Sequence, residues 1–259
     1  MKTIKVDLGS HFNEVEIVPI SDSHIGDDYN EKLLRDTIEY VRITPNAYTI
    51  LNGDMLNNAL KTSVSDIYSA IIQPEEQIEK LVELFMPIKE KILAVLSGNH
   101  EARTYKATGI DIVKNFCYRL GIVDKYSSGN FMLFISFGLP FISRPNRRHT
   151  FSLYSTHGAS GGKLVGSKMN ALERLSGIID ADIYLHSHTH TPATFKLDYF
   201  RSNNRTKTVA QVTKLFVNTN AWLNYGGYGE TMGFKPSTVT PVKINLIGSK
   251  QKCYATCEI

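Results

Sequence analysis

Cysteine is scarce in this 259-residue chain, which holds only Cys117, Cys253 and Cys257. So small and scattered a set builds no disulfide framework and suits a reducing compartment. Cys253 and Cys257 form a C-x3-C pair, but a structural zinc needs a second pair of ligands to close its tetrahedron, and none is nearby in sequence. Nowhere do about 18 apolar residues run together without a charge, so no membrane-spanning helix is expected. The opening residues MKTIKVDLGSHF carry neither the apolar stretch nor the small-residue cleavage pattern of a secretory leader. These absences together lead us to expect a cytoplasmic protein with no membrane partner. Internal repeats, low-complexity tracts and linker-like stretches are also missing, so one domain over residues 1–259 is expected. The net charge of +4 suits an anionic substrate but falls short of the basic footprint of a dedicated nucleic-acid binder. Oligomeric state has no signature here.

What the sequence does contain is an alternation of apolar runs and amphipathic segments. The β-branched run Val15 to Ile20 reads as a buried strand, followed by a helix capped by Asn30, with Leu34, Ile38 and Val41 on one face. Tyr48 to Leu51 and Ile92 to Leu96 read as further strands, and between them a helix starts near Pro74 with Ile78, Leu81, Val82 and Phe85 as its stripe. Val113, Phe116, Cys117 and Leu120 mark another helix that stops at Gly121. Strand-like runs follow at Phe131 to Phe141, broken by Gly-Leu-Pro, and at Phe151 to Ser155. A helix is expected to open at Gly161 and Gly162 and pass through Leu164, Leu172 and Leu175. Asp182 to Leu185, Ala193 to Leu197, Thr208 to Val217 and Val239 to Ile247 then make the last third mostly β. This order predicts an α/β (α+β) fold of stacked sheets covered by helices, with polar residues gathered where strands end.

Five strand ends carry side chains that bind metals: Asp22-Ser23-His24, Gly53-Asp54, Gly98-Asn99-His100-Glu101, His157-Gly158 and His188-Thr189-His190. Any one Asp or Asn in such a place is explained as well by turn formation or helix capping. Five in succession point to one site. Carboxylate, amide oxygen and imidazole together suit borderline divalent cations such as manganese, iron, zinc or nickel, with no thiolate required.

The blocks resemble the calcineurin-like metallophosphoesterase superfamily, whose pattern runs D-x-H, G-D, G-N-H-D or G-N-H-E, H, and G-H-x-H. All appear in that order, and the resemblance extends over roughly residues 15 to 225. It implies a four-layer α/β/β/α sandwich of two mixed sheets flanked by helices. It also implies two divalent metal ions, manganese favoured, and hydrolysis of a phosphate ester. By the same resemblance, Asp22, His24 and His190 would hold one metal and Asn99, His157 and His188 the other, with Asp54 bridging both. His100 would be a catalytic residue, donating a proton or hydrogen bond to the leaving oxygen, and Glu101 would orient or charge it. Ser187 stands where the family has glycine, and His186 adds a third histidine, but His-Thr-His followed by Thr-Pro fits the block better than His186-Ser-His188.

Other residues leave two readings open. His11, His149 and His186 suit ordinary hydrogen-bonded side chains. Arg103 either clamps a phosphate oxygen or is a surface arginine. Arg144, Arg147, Arg148 and His149, with Arg201, Arg205 and Lys207, form either a phosphate-tracking path near the site or solvated loops. Tyr225 and Tyr228 either stack on a base or pack locally. The basic loops tilt the expectation toward a phosphodiesterase or nuclease acting on nucleic acid or nucleotides. The alternatives are a phosphomonoesterase acting on a nucleotide or phosphoprotein, and a metal- or nucleotide-binding protein without turnover.

Overall fold

The computed structural model describes all residues except 62–69, 139–147, 160, 227–229, 231–232, 234 and 249–252. Its elements follow from period and capping. In β2 (Glu14–Ile20), Val15 and Ile17 face one side while Val18 and Ile20 face the other, so both faces of the strand are apolar and both are buried. Asn30 caps α1 (Glu31–Ile43), its side chain accepting from the Leu33 amide at 3.0 Å, and Leu34, Ile38 and Val41 are buried. β3 (Ala47–Asn52) and β4 (Ile92–Leu96) extend β2 in parallel, linked by α2 (Pro74–Phe85) and a 3-10 turn. α3 (Asn99–Thr108), α4 (Ile112–Leu120) and the short β5 (Tyr126–Ser127) follow.

Two six-stranded mixed sheets result. One has the order β12-β11-β2-β3-β4-β5, where β11 (Lys243–Gly248) and β12 (Cys253–Glu258) add antiparallel strands at the β2 edge. The other runs β1-β6-β7-β8-β10-β9. It contains β1 (Lys2–Asp7), β6 (Phe131–Phe137), β7 (His149–Thr156), β8 (Ile183–His186), β9 (Ala193–Asn203) and β10 (Thr208–Asn218). Between the sheets, Ile17, Ile50 and Leu96 pack with Leu133, Leu153, Leu185 and Val217. On the outer face of the first sheet lie α1, α2 and α4, through Leu34, Phe85 and Phe116 among others. On the outer face of the second, Leu172 of α5 (Val165–Glu173) packs against Tyr154, Tyr184 and Phe216. The layering is therefore α/β/β/α. Among the described residues, no helix is long and apolar enough to cross a membrane.

Four details differ from the expectations. β1 pairs in parallel with β6 although its alternation is only half-buried, a weak signal for an edge strand. α3 begins inside the Gly-Asn-His-Glu block, and Glu101 is its only buried residue, so no apolar stripe announces it. α5 starts at Val165 rather than at Gly161 and Gly162, in line with the low helix propensity of glycine. The fourth concerns the basic residues. β9 leaves the ligand loop at Ala193 and runs eleven residues, to Asn203, before β10 returns. At about 3.4 Å per residue, its tip lies roughly 30 Å away. Arg201, Arg205 and Lys207 sit at that far end, so they do not line the site, and Arg201 is paired with Asp180 at 2.9 Å. Arg144, Arg147, Tyr228 and the Leu-Pro break of the strand run to Phe141 lie outside the described residues, as does the side chain of Cys253.

Candidate metal centre

Parallel strands bring their C-terminal ends to one edge of a sheet, and here the two sheets deliver theirs to a common place. Asp22 and His24 follow β2, Asp54 follows β3, and Asn99 and His100 open the helix after β4. From the other sheet, His157 follows β7 and His188 and His190 follow β8. Backbone bonds lace the loops together: Asp22 N donates to Gly53 O at 2.9 Å, His24 N to Asp54 O at 3.1 Å, and Ser187 N to His157 O at 3.1 Å.

Three groups of donors converge within 4.8 Å: Asp22 with His24 and His190, His24 with Asp54 and His100, and Asp54 with His157 and His188. Asp54 and His24 each belong to two of these groups, so the three adjoin one another. Asn99 joins through its Oδ1, 3.2 Å from His157 Nε2. His186 is in none of these groups. It is buried, its Nδ1 donating to Asn218 Oδ1 at 2.8 Å, and it lies against Gly158, where any Cβ would overlap its ring. Ser187, in place of the family's glycine, is fully buried and takes hydrogen bonds from Asn52 Nδ2 at 2.6 Å and Thr219 Oγ1 at 2.9 Å.

Several features fit divalent cations. Asp22 Oδ1, Asp54 Oδ2 and His188 Nδ1 are buried with no hydrogen-bond partner, a costly state for a polar atom unless a ligand satisfies it. Asp22 Oδ1 lies 3.2 Å from His190 Nε2, and Asp54 Oδ2 lies 3.0 Å from His157 Nε2. The Nδ1 of His157 donates to the Asn52 carbonyl at 2.8 Å. In the neutral ring this leaves Nε2 as a lone pair facing the carboxylate, two acceptors that a cation between them would reconcile.

The electrostatics agree. Burial works against ionisation of Asp22, but the nearby His190 imidazole outweighs it and holds the carboxyl at about 2. Burial likewise opposes, and His157 overrides, for Asp54, which is held well below the usual carboxylate range. Burial pushes His24 and His188 down, keeping them in the neutral form that metal ligation needs, and pushes His100 down as well. His157 is the exception: burial lowers it, but Asp54 and Asp22 push it up to about 10, a measure of the pull for positive charge at this spot.

The backbone is strained at the same place. Asp22, His24, Asp54, His188 and His190 all have positive φ, between 44° and 66°. Asn58 and Lys207 are the other non-glycine residues in that region among those described. Each such residue costs on the order of 1–3 kcal/mol and persists only where its surroundings over-determine it. Close packing enforces part of this: Gly98 sits so tightly on Asp54 that an added Cβ would overlap the carboxylate and the backbone amide.

His100 and Glu101, neighbours in sequence, are held in different places. The His100 ring donates Nδ1–H to Asn57 O at 2.8 Å and leaves Nε2 toward the site, 3.9 Å from Asp54 Oδ2. Consecutive residues on a helix point in different directions, and Glu101 turns under the loops instead of toward His100. Its buried carboxylate accepts from the amides of Asp54 (3.1 Å), Leu56 (2.9 Å) and Gly98 (2.9 Å). The orienting partner of His100 is thus the Asn57 carbonyl, and Glu101 holds the Asp54 loop to the start of α3. Burial, reinforced by the charge of Asp54, pushes Glu101 up to about 7.

Sequence reasoning missed a layer of buried polar support. Ser21 Oγ donates to Asp22 Oδ2 at 2.6 Å and lies 2.7 Å from Thr219 Oγ1. Asn52 links Ser155, Ser187 and the Thr156 carbonyl. Asn218 and Lys168 grip the 188–191 loop. The available signal was Asn52 and Asn218 closing apolar strands, a weak one because asparagine also ends strands for turn reasons.

Solved structures of similar architecture include a conserved uncharacterised protein, a predicted phosphoesterase, from Streptococcus pneumoniae TIGR4. It is 14% identical, with 90% of this chain and 83% of that chain covered at a TM-score of 0.36. A metallophosphoesterase from Sphaerobacter thermophilus is 12% identical, covering 95% and 89% at 0.39. Vacuolar Protein Sorting 29 from Cryptosporidium parvum is 14% identical, covering 95% and 97% at 0.39. No curated protein sequence matches the chain. The model of the calcineurin-like phosphoesterase family matches residues 16–192, a span that takes in every strand-end block described above. The chain belongs to the calcineurin-like phosphoesterase family.

Proposed function

We propose that residues 1–259 form a single domain in which Asp22, His24 and His190 hold one divalent cation and Asn99, His157 and His188 a second, bridged by Asp54. The observation that carries this reading is that three buried acceptors without partners, Asp22 Oδ1, Asp54 Oδ2 and His188 Nδ1, belong to adjoining groups of metal-binding side chains. Asp54 Oδ1 accepts from the His100 amide at 2.8 Å, which fixes the carboxylate that would be shared by the two cations. Three oxygen and four nitrogen donors suit a borderline divalent cation, and of manganese, iron, zinc and nickel we favour manganese. Bound metals supply Lewis-acid activation of water and neutralise charge at phosphorus.

The rest of the chemistry belongs to the chain. The N-terminus of α3 lends the site the positive end of its helix dipole, its Gly98 and His100 amides being engaged by Glu101 and Asp54. His100, fixed by the Asn57 carbonyl, presents Nε2 to the leaving oxygen; delivery of a proton there requires the imidazolium, which Asp54 favours and burial opposes.

The substrate we favour is a phosphodiester, in nucleic acid or a nucleotide, met in the cytoplasm. Support comes from a cleft beside Asn99 and His157, lined by Ser97, Gly129, Asn130, Thr156 and Gly158. Among the described residues its lining has no Lys or Arg, which suits a second ester substituent better than the extra anionic oxygen of a monoester. Arg103 favours the second reading, a phosphomonoesterase: it is half-buried and shares the Asn57 carbonyl with His100 at 3.5 Å, near enough to meet a dianion. Hydrolysis of an aryl phosphate monoester and diester by manganese-loaded protein separates them. Faster diester turnover supports the first reading, and faster monoester turnover replaces it with the second. No turnover of either by protein holding two metals would leave a metal-binding protein without catalysis.

A further inference from the structure

The metal positions proposed above draw His188 and His190 from one short loop, and that loop is gripped from two sides. From β10, the fully buried Asn218 donates Nδ2 to Thr189 Oγ1 at 2.7 Å and to Thr191 O at 2.6 Å, while its Oδ1 takes the Nδ1 proton of His186. From α5, Lys168 reaches in and donates Nζ to Thr189 O at 2.8 Å and to Thr191 Oγ1 at 2.6 Å. Lys168 is 9% exposed, and lysine is almost never this buried without a task for its ammonium. Thr189 and Thr191 flank His190, and Thr189 follows His188; both histidines hold the left-handed backbone that must be enforced from outside.

His190 lies with Asp22 and His24, whereas His188 lies with Asp54 and His157. One loop therefore feeds both positions, and whatever fixes the loop fixes both. We propose that Lys168 is a positioning residue that couples the two metal positions, holding His188 and His190 in register through Thr189 and Thr191. Charge-assisted bonds to a carbonyl and a hydroxyl are stronger than neutral ones, and an ammonium placed here gains nothing from the cations themselves, which repel it. Its contribution runs through the loop. Asn218 alone would leave the Thr189 carbonyl held only by the Thr191 hydroxyl, at 3.1 Å.

The inference rests on His188 and His190 being ligands, so the test measures stepwise metal affinity and not turnover alone. Wild-type protein, Lys168→Met, Thr191→Val and His24→Ala are titrated with cobalt(II) against a competing chelator, and the visible ligand-field spectrum is recorded at each step. Lys168→Met keeps the aliphatic stem and is expected to lower both stepwise affinities together by about 10- to 100-fold, the usual result of losing a partner behind a ligand, and to alter both spectral components. Thr191→Val, at a half-buried position, is expected to do the same in smaller measure and carries the test if Lys168→Met does not fold. His24→Ala is expected to weaken one step only. A control, Leu172→Val, loosens α5 on the sheet without touching the clamp; it should lower the melting temperature and leave both affinities unchanged. Wild-type affinities and spectra in Lys168→Met, or in Thr191→Val if that is the variant that folds, overturn the inference while leaving the two-metal reading intact. Failure of the wild-type protein to take up two equivalents of cobalt overturns both.

Discussion

The two proposed metal positions each pair one side-chain oxygen with two imidazoles but are held differently. Around Asp54, the His157 side chain is 6% exposed and its Nδ1 is fixed by the Asn52 carbonyl, and Asn99 is fixed as the first residue of a helix. Around Asp22, the His190 side chain is 33% exposed, and the close neighbours of its Nε2 are the other donors, His24 Nε2 at 3.3 Å and Asp22 Oδ1 at 3.2 Å. Both draw one histidine from the 188–191 loop, but on the first side His157 and Asn99 have supports of their own, whereas on the second His190 has only the loop that carries it. Preorganised donors lose less on binding, so the Asp54 side is expected to hold its cation more tightly and the Asp22 side to exchange more freely.

The largest effect comes from removing what the two sides share. Asp54→Asn keeps the shape but takes away the charge of the bridge, and both cations should be lost at micromolar metal. With them goes activation of water, whose pKa falls from 15.7 to about 7 on a metal, so turnover should drop by at least about 10^4-fold. Metal content by mass spectrometry alongside turnover checks this. Retention of one full equivalent with unchanged affinity would show that Asp54 serves one side only.

Next in size is the contrast itself. His157→Ala and His190→Ala each remove one imidazole, and each should weaken its own position by more than the roughly 10- to 100-fold typical of an outer partner. The two variants should differ in what remains. His190→Ala is expected to keep the tight equivalent and His157→Ala to keep only the weak one, as measured by calorimetric titration with manganese. If both variants retain equivalents of equal affinity, the difference in preorganisation has no energetic consequence and the comparison fails.

A smaller effect, confined to chemistry, is expected at His100. Its Nδ1 is tied to Asn57, and its Nε2 is farther from Asp54 than His157 is, 3.9 Å against 3.0 Å. His100→Asn should leave both equivalents bound and reduce turnover of esters with poor leaving groups by about 10^2-fold, with much less effect on an activated aryl ester. Loss of a metal in this variant would instead make His100 a ligand, in keeping with its place in the His24 and Asp54 group.

How far the sequence reveals this site depends on whether a residue's task is local. Asp22, Asp54, Asn99 and His157 are legible because an apolar strand ends just before each, and a polar group there needs a reason. The four-layer fold is legible for the same cause, since β2, β3 and β4 are apolar on both faces. Lys168 is invisible because its partners lie 21 and 23 residues away and nothing in a helix of mixed polarity marks one lysine as buried. Glu101 misleads because adjacency in sequence suggests contact with His100, whereas the helix turns it beneath the loops. α3 goes unseen since only one of its ten residues is buried.

The basic hairpin shows the same limit and gives the smallest expected effect. In sequence, Arg201, Arg205 and Lys207 follow the last ligand block closely enough to suggest a track for a polyanion leading to the metals. In the fold, β9 carries them about 30 Å from Ala193, toward the opposite end of the sheet. At physiological ionic strength a charge is screened beyond about 8 Å, and Arg201 is further offset by Asp180. Replacing Arg205 and Lys207 together by alanine should therefore leave kcat/KM for a short diester within about twofold and leave its salt dependence unchanged, because neither cation reaches the phosphorus from that distance. The informative substrate is a longer one. If a polynucleotide is hydrolysed, a loss confined to long chains would mean that the hairpin tip grips the polymer far from the cleavage point, and the separation of metal end and basic end would become a measure of substrate length.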